Sequence, residues 1–301
     1  MIKQFIAGSC YSYVFSSNGE ALLIDPHISL GDDYISYLKK SDLTLKYIID
    51  THTHADHFSL AAVLKKKTGA HVMMHEKAVS SVADKRLKDE EIVAIGSGAL
   101  RVMYTPGHTD DAVSLYGGGM LFTGDALLIG SVGRMDFQNG SPESMFETLQ
   151  RIKSLPDETK LFPGHDYHDA RVSTIGKQKQ TNPFIMENNR DTFIKNARSR
   201  VIPKPFNIDN IIRVNQKGEA AILEMVTPKE AVSIMEKDTR VKLLDVRSAM
   251  EFNQARIKEA VNVPIEMIPG KIGDLSQTGQ NFIVLCRTGN RSPMAADMLI
   301  Q

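Results

Sequence analysis

Four side chains that can bind a divalent metal lie within six residues of the sequence. They are three histidines and one aspartate: His52, His54, Asp56 and His57. In extended backbone, residues two apart point to the same side, so the imidazoles of His52 and His54 can approach one point. Imidazole and carboxylate ligands suit an ion such as zinc, iron or manganese. A solvated histidine-rich loop is the alternative, but so many ligand groups in so few residues favour a metal site.

Three further candidate ligands each follow a predicted strand. The strands cover residues 100–104, 118–123 and 160–162, and the ligands that follow them are His108, Asp125 and His165. The histidine-rich loop itself follows an apolar run at 46–49, which predicts a buried strand. Loops held between strands are positioned rigidly, and a glycine beside each of the three ligands permits a tight turn. The four loops together predict one metal centre.

A cysteine near the end of the chain predicts a second chemical centre. Cys286 follows a strand predicted at 282–285 and begins a short loop that leads into a helix. The other residues of this loop are Arg287, Thr288, Gly289, Asn290 and Arg291. Backbone N–H groups of such a loop bind an anion, and the helix N-terminus and the arginines add positive potential. This environment lowers a thiol pKa, so we expect Cys286 to be a thiolate nucleophile and the loop residues to bind the substrate.

Composition limits the class of protein. The chain has 301 residues, which allows two domains, and its 36 lysines and arginines balance 36 acidic residues, which argues against nucleic-acid binding. It has no apolar run long enough to span a bilayer and no signal peptide, so we expect no membrane association. Its two cysteines are too few and too far apart for a disulfide framework, which favours a cytoplasmic location. The oligomeric state stays open, a homo-oligomer included.

Two patterns divide the chain into α/β domains. Residues 1–214 contain the metal-type loops, the polar residues 215–219 predict a linker that we place at 215–225, and residues 226–301 contain the Cys286 loop. In the first domain we expect Cys10 to be a small core residue, because free cysteine is often buried. We expect His27 to lie at the surface.

The His-x-His-x-Asp-His loop and the three later ligands resemble the metallo-β-lactamase superfamily. This resemblance implies an αβ/βα sandwich in the first domain. It also implies a general two-metal site, in which residues matching His52, His54 and His108 bind one ion, Asp56, His57 and His165 bind the second, and Asp125 bridges. Such sites give zinc-dependent hydrolases, including thiolester hydrolases of the glyoxalase II type.

The sequence Leu-Leu-Ile-Gly-Ser-Val-Gly-Arg-Met-Asp-Phe-Gln at 127–138 resembles one branch of the superfamily, the persulfide dioxygenases. His-Asp-Tyr at 165–167 and the segment 173–183 also resemble that branch. The resemblance implies one Fe(II) per chain, bound by residues matching His52, His108 and Asp125, with open positions for substrate sulfur and O₂.

The same resemblance implies roles for residues around the iron. Arg134 matches a residue that binds the substrate carboxylate, a task that suits a guanidinium fork. Tyr167 matches a hydroxyl near the iron and is a candidate catalytic residue. Four residues would orient the ligands or stabilise charge around them: His54, Asp56, His57 and His165.

The last third of the chain resembles rhodanese sulfurtransferases. The matching segments are Leu-Asp-Val-Arg at 244–247, Glu-Phe at 251–252, Ala-Val-Asn-Val-Pro at 260–264 and the Cys286 loop. A phosphatase loop of the Cys-x5-Arg type is the rival, and it fails because Ser292 stands where the arginine is needed. Rhodanese domains continue for another strand and helix, whereas the chain stops at Gln301, so we expect a C-terminally truncated domain.

We therefore predict an iron-dependent oxygenase that converts a low-molecular-weight, glutathione-type persulfide and O₂ to thiol and sulfite. The joined domain would transfer sulfur between thiosulfate, sulfite and thiols through Cys286. Two alternatives stay open: a dinuclear zinc thiolester hydrolase, and a carrier or sensor that binds persulfide without turnover. Metal content and oxygen uptake distinguish the three.

Overall fold

The computed structural model describes residues 1–167, 172–200, 208–218, 226–287 and 291–300. Three residues predicted to bind the substrate, Thr288, Gly289 and Asn290, lie outside the described residues. Most of the predicted linker, residues 219–225, also lies outside them.

The first domain contains two mixed sheets in its described part. Strands of the first sheet lie side by side in chain order: β1 (Ile2–Ala7), β2 (Cys10–Ser17), β3 (Glu20–Ile24), β4 (Thr44–Ile49), β5 (His71–His75) and β6 (Lys85–Leu87). The strands of the second sheet also follow chain order: β7 (Ile92–Ile95), β8 (Gly98–Tyr104), β9 (Val113–Gly117), β10 (Met120–Gly124), β11 (Lys160–Pro163) and β12 (Ser173–Thr174). Strands β3 to β6 run parallel to one another, as do β10 and β11.

The core lies between the two sheets because alternate residues of their strands are apolar and face each other. Tyr13 and Leu22 from the first sheet are buried with Leu100 and Phe122 from the second. The rings of Tyr13 and Phe122 meet edge to face, with centroids 5.3 Å apart. This packing holds the two sets of strand ends at fixed positions relative to each other.

Helices cover the outer faces of both sheets, which confirms the predicted αβ/βα sandwich. In chain order they are α1 (Gly31–Lys40), α2 (Ala61–Thr68), α3 (Pro142–Lys153), α4 (Ile175–Thr181), α5 (Pro183–Met186), α6 (Arg190–Ser199) and α7 (Ile208–Lys217). Helices α1, α2 and α7 pack on the first sheet, and α3 to α6 pack beside the second. A 3₁₀ turn, Ile28–Leu30, precedes α1.

Helix α7 differs from the sequence prediction, because it continues through Lys217 into the predicted linker. Ile208, Ile211 and Val214 are spaced three residues apart and are buried in the core, so one apolar stripe fixes the helix. The polar residues that follow Val214 indicated a linker from composition alone. In the structure, three of these polar residues, 215–217, form the last turn of the packed helix α7.

The second domain has a parallel sheet whose described strands lie in the order β14, β13, β15. Its elements are α8 (Pro228–Lys237), β13 (Val241–Asp245), α9 (Ala249–Gln254), β14 (Val261–Asn262), the 3₁₀ turn Ile265–Met267, α10 (Ile268–Gln277), β15 (Asn281–Leu285) and α11 (Arg291–Ile300). Thr227 caps α8 and forms a reciprocal capping box with Glu230. Among the described residues, no helix combines the length and the apolar character needed to cross a membrane.

Candidate active site

The predicted metal ligands of the first domain come together at the ends of strands from both sheets. The ligand atoms of His52, His108 and Asp125 all lie within 4.8 Å of one another. His52 lies on the loop after β4, His108 follows β8, and Asp125 follows β10. Atom Nε2 of His108 is 3.7 Å from Oδ2 of Asp125. The fold therefore assembles the set of two histidines and one carboxylate.

Hydrogen bonds orient both histidine rings of this set. Nδ1 of His108 donates to the backbone oxygen of Arg134 at 2.6 Å, and Nδ1 of His52 lies 3.1 Å from the hydroxyl of Thr51. Nε2 of His52 is buried and has no hydrogen-bond partner among the described residues. Burial, together with neighbouring imidazoles, lowers the pKa of His52, so the ring is neutral and can offer a lone pair. A buried, unpartnered imidazole nitrogen facing a carboxylate fits a bound cation.

A second group of ligand-type residues lies beside the first. His165 connects the two groups, because its Nδ1 is 2.7 Å from Oδ1 of Asp125 and its Nε2 is 3.0 Å from Oδ2 of Asp56. His57 also contacts Asp56, with Nδ1 at 3.1 Å. Burial opposes protonation of His165, but Asp125 and the other neighbours outweigh it and raise its pKa. The structure thus places His57 and His165 each in contact with Asp56, and His165 also in contact with Asp125 of the His52 set.

Asp25 is a site residue that the sequence analysis missed. It accepts hydrogen bonds from the backbone N–H of Thr51 at 2.7 Å and the hydroxyl of Thr51 at 2.9 Å, and it lies 3.1 Å from Nε2 of His54. Burial opposes its ionisation, but His54 and the other neighbours outweigh it and lower the pKa of Asp25. The residue also has a φ of 51°, a conformation that costs energy for a residue other than glycine. The Asp-Pro pair after β3 indicated only the end of a strand.

Cys10 and His27 lie nearer the site than the sequence suggested. Cys10 is buried, as predicted, but its Sγ is 3.4 Å from Nε2 of His165 and 3.5 Å from Oδ2 of Asp56. The expected surface position of His27 is wrong, because the residue is 1% exposed and its ring stacks on His57 with centroids 4.7 Å apart. An isolated bridge between Cys10 and His165 joins the two sheets here, and this long-range pairing has no local sequence pattern.

Two glycines are needed for close packing around the ligands. Gly124 has a φ of 48°, and a Cβ there would lie 2.3 Å from the hydroxyl oxygen of Thr51. A Cβ on Gly164 would lie 2.7 Å from Oδ1 of Asp125. At Gly164 a side chain is excluded because the Asp125 carboxylate is too close. At Gly124 it is excluded both by the closeness of Thr51 and by the positive φ, which favours glycine.

The segment 127–138 lies against the metal-type residues. Besides the contact from Arg134 to His108, the side chain of Gln138 donates to the backbone oxygen of Thr53 at 2.8 Å. The guanidinium of Arg134 donates to both carboxylate oxygens of Asp136, at 2.7 and 2.6 Å, and lies over the ring of Phe137. A substrate carboxylate would therefore have to share Arg134 with Asp136.

Tyr167 lies beside His165. Its ring stacks on the ring of His165 with centroids 5.9 Å apart and planes 8° apart, and the residue is 67% exposed. The ring of Tyr167 therefore lies between His165 and the solvent.

In the second domain, the Sγ of Cys286 is held at the N-terminus of α11. The backbone N–H of Ser292 donates to Sγ at 3.3 Å, and the thiol donates to the hydroxyl of Ser292 at 3.3 Å. Arg291 makes a bidentate pair with Glu251, at 2.6 and 2.8 Å, so its guanidinium ties the loop to α9. Arg287 is exposed at the start of the loop.

Comparison with known proteins supports both parts of this description. Residues 6–165 match the family model described as metallo-beta-lactamase superfamily, and residues 227–301 match that of the rhodanese-like domain. The crystal structure of ETHE1 from Myxococcus xanthus is 35% identical, with a TM-score of 0.69, and the match covers 72% of this chain and 98% of that one. The resemblances of the first domain to the metallo-β-lactamase superfamily and of the second domain to rhodaneses are thus confirmed at the level of family.

Curated relatives include proteins with different names. The mitochondrial persulfide dioxygenase ETHE1 of Bos taurus is 32% identical over 221 residues, which are 71% of this chain and 87% of that protein. A beta-lactamase hydrolase-like protein of Xylella fastidiosa is 36% identical over 214 residues, which are 62% of this chain and 50% of that protein. The chain thus spans about half the length of some of the curated relatives it matches.

Proposed function

The chain belongs to the metallo-β-lactamase superfamily, and on this premise we propose that it is a persulfide dioxygenase joined to a rhodanese-type sulfurtransferase. The first domain would convert RSSH + O₂ + H₂O to RSH + SO₃²⁻ + 2H⁺. The substrate would be a low-molecular-weight persulfide of the glutathione type. Residues 1–217, which include all of α7, would form the dioxygenase domain and residues 226–301 the transferase.

The observation that carries the proposal is the set formed by His52, His108 and Asp125, in which both histidines have Nδ1 occupied by an oxygen of the protein. Their Nε2 atoms and the carboxylate are thereby available to one ion. Fe(II) held by two histidines and one carboxylate keeps open positions for a substrate sulfur and O₂. We propose one Fe(II) per chain on this set.

Residues around the set would orient and neutralise the reacting groups. His165, between Asp125 and Asp56, can hold a proton beside the ligand carboxylate. Arg134 is the one cationic residue in the sequence of segment 127–138. Its guanidinium would bind the carboxylate of the persulfide. Tyr167 would contact the ligand from the solvent side, where its ring covers His165.

The second domain would move sulfane sulfur through Cys286. Its thiolate would attack the outer sulfur of thiosulfate, which forms a Cys286 persulfide and releases sulfite. A thiol acceptor would then take that sulfur and restore the Cys286 thiolate. The Ser292 N–H and the terminus of α11 would stabilise the negative charge on Sγ of the thiolate and, in the persulfide, on the outer sulfur bonded to Sγ. A shared chain raises the effective concentration of each site near the other.

One observation favours a second candidate, a dinuclear zinc thiolester hydrolase. His165 contacts both Asp125 and Asp56, and His57 contacts Asp56, and these are the residues that the resemblance assigns to a second metal ion. The two candidates need different metals and differ in their use of O₂.

Variants at the ligands distinguish the candidates. His52→Ala, His108→Ala and Asp125→Ala should each remove iron and persulfide-dependent oxygen uptake together. Loss of iron without loss of oxygen uptake would contradict the proposed ligand set. Hydrolysis of a glutathione thiolester by the zinc-loaded protein, with no oxygen uptake by the iron-loaded protein, would favour the hydrolase.

A further inference from the structure

The side chain of Asn215, on the last turn of α7, is bonded to the loop that carries the histidine-rich segment. Its Nδ2 donates to the backbone oxygens of His54 and His57, both at 2.9 Å. Its Oδ1 accepts the backbone N–H of Ser59, also at 2.9 Å. Both Nδ2 hydrogens and the carbonyl oxygen of one carboxamide are thus used on three backbone groups of a single loop.

Helix α7 is a firm support for this side chain. Ile211 and Val214 are buried in the core of the first domain, and Ser81 donates its backbone N–H to the oxygen of Gln216 at 2.8 Å. The hydroxyl of Ser81 also donates to the oxygen of Lys217 at 3.0 Å. The end of α7 is therefore held from both sides, and Asn215 projects from a fixed backbone.

The loop needs such support because it contains no helix or sheet strand between β4 and α2. His54 and His57 are three residues apart, and one carboxamide binds both of their backbone oxygens. Ser59 continues the connection, because its hydroxyl donates to the carboxylate of Asp50 at 2.8 and 3.0 Å. Asn215 thus ties together residues 54, 57 and 59 of the loop that also carries the proposed ligand His52.

We propose that Asn215 is a positioning residue for the metal centre, acting through the backbone of the loop from residue 54 to residue 59. It touches neither the metal ligands' side chains nor a substrate. The inference rests on the proposed metal centre but not on the proposed dioxygenase reaction. It also assigns a function to the last turn of α7, which leads towards the second domain.

Two variants divide the role of Asn215 into its parts. Asn215→Ala removes all three hydrogen bonds. Asn215→Asp keeps the size and the acceptor for Ser59, but it places a carboxylate against the backbone oxygens of His54 and His57. The matched control is Asn196→Ala, because Asn196 is exposed on α6 and its side chain makes no such contacts with the residues that the structure describes.

The test measures Co(II) binding to the full chain, since cobalt reports its ligands through visible absorption and needs no oxygenase activity. We expect both Asn215 variants to bind Co(II) up to about tenfold more weakly than wild type in competition with a chelator, the lower end of the loss that follows removal of a group bonded to a metal ligand, because Asn215 reaches the ligand His52 only through the backbone. We also expect their absorption bands to shift, whereas Asn196→Ala should match wild type.

A purely structural role predicts a different result. Asn215→Ala would then lower the melting temperature but leave the Co(II) affinity and spectrum of the folded protein unchanged, and this outcome would overturn the proposal. If Asn215→Ala does not fold, the decision rests on Asn215→Asp, measured where circular dichroism shows it folded. Absence of dioxygenase activity in wild type would refute the proposed function and leave this test unaffected.

Discussion

Replacing Glu251 should loosen the Cys286 loop by an amount that the structure allows us to estimate. Glu251 makes two contacts: the bidentate pair with Arg291 and the capping box with Ser248 at the start of α9. The side chains of Arg291 and Glu251 are 29% and 23% exposed, so the ion pair contributes about 1 kcal/mol, the upper end for surface pairs. Loss of the cap costs about 1 kcal/mol more.

The two contributions can be separated by the choice of substitution. Glu251→Gln keeps an oxygen that accepts from the Ser248 N–H and loses the charge, so it should lower the free energy of unfolding by about 1 kcal/mol. Glu251→Ala loses both contacts and should cost about 2 kcal/mol. Both variants should slow thiosulfate:thiol sulfur transfer, because the guanidinium that ties Cys286's loop to α9 is released.

Hydrogen exchange in increasing urea measures this effect within the full chain. Protection of β13 amides reports the second domain, and protection of β4 amides is the internal control for the first domain. Equal losses for Glu251→Gln and Glu251→Ala would refute the contribution of the cap. Unchanged protection of β13 and unchanged sulfur transfer in both variants would refute the view that the pair holds the loop.

The same pair predicts a pH dependence. The hydrogen bond from Arg291 and those within the capping box lower the pKa of Glu251 to about 2. An acid whose folded-state pKa is lowered stabilises the protein fully above its unfolded-state pKa of roughly 4.3 and loses that stabilisation as the pH falls towards 2. The difference in unfolding free energy between wild type and Glu251→Gln should therefore shrink across this window.

Three further predictions concern the substrates and the metal. Arg134→Ala should raise the KM for a charged persulfide about ten- to a hundredfold, the worth of one charge-assisted bidentate contact, while iron content stays constant; an unchanged kcat/KM would show that the carboxylate binds elsewhere. Cys286→Ser should abolish thiosulfate:thiol transfer and leave oxygen uptake with added persulfide intact, and loss of both would refute the assignment of separate sites. His57→Ala should retain most of the iron, so iron loss equal to that of His108→Ala would place His57 among the ligands.

The parts of the site that the sequence predicts are those encoded locally. A ligand directly after a strand, as at His108 or Asp125, combines an apolar run, a glycine and a metal-binding residue within a few positions. Because strands that run in the same direction in a regular sheet end at the same edge, the ligands that follow them come close together in space. Their assembly can therefore be predicted from the local sequence alone.

The parts that the sequence does not predict depend on pairing between distant segments. Asp25 and Cys10 reach the centre only because β2 and β3 lie beside the loops after β4 and β11, and their neighbours in sequence give no sign of it. Asn215 lies in a polar stretch that resembles a linker, and buried residues one and four positions before it keep that stretch helical. Tertiary packing decides both cases.

Oxygen consumption and metal content, measured on one preparation, test the central claim most directly. We predict about one iron per chain and, on addition of glutathione persulfide, consumption of one O₂ for each sulfite formed, the ratio set by the balanced reaction. Two zinc ions per chain, with no oxygen uptake on addition of persulfide, would contradict the assignment of this site as a dioxygenase.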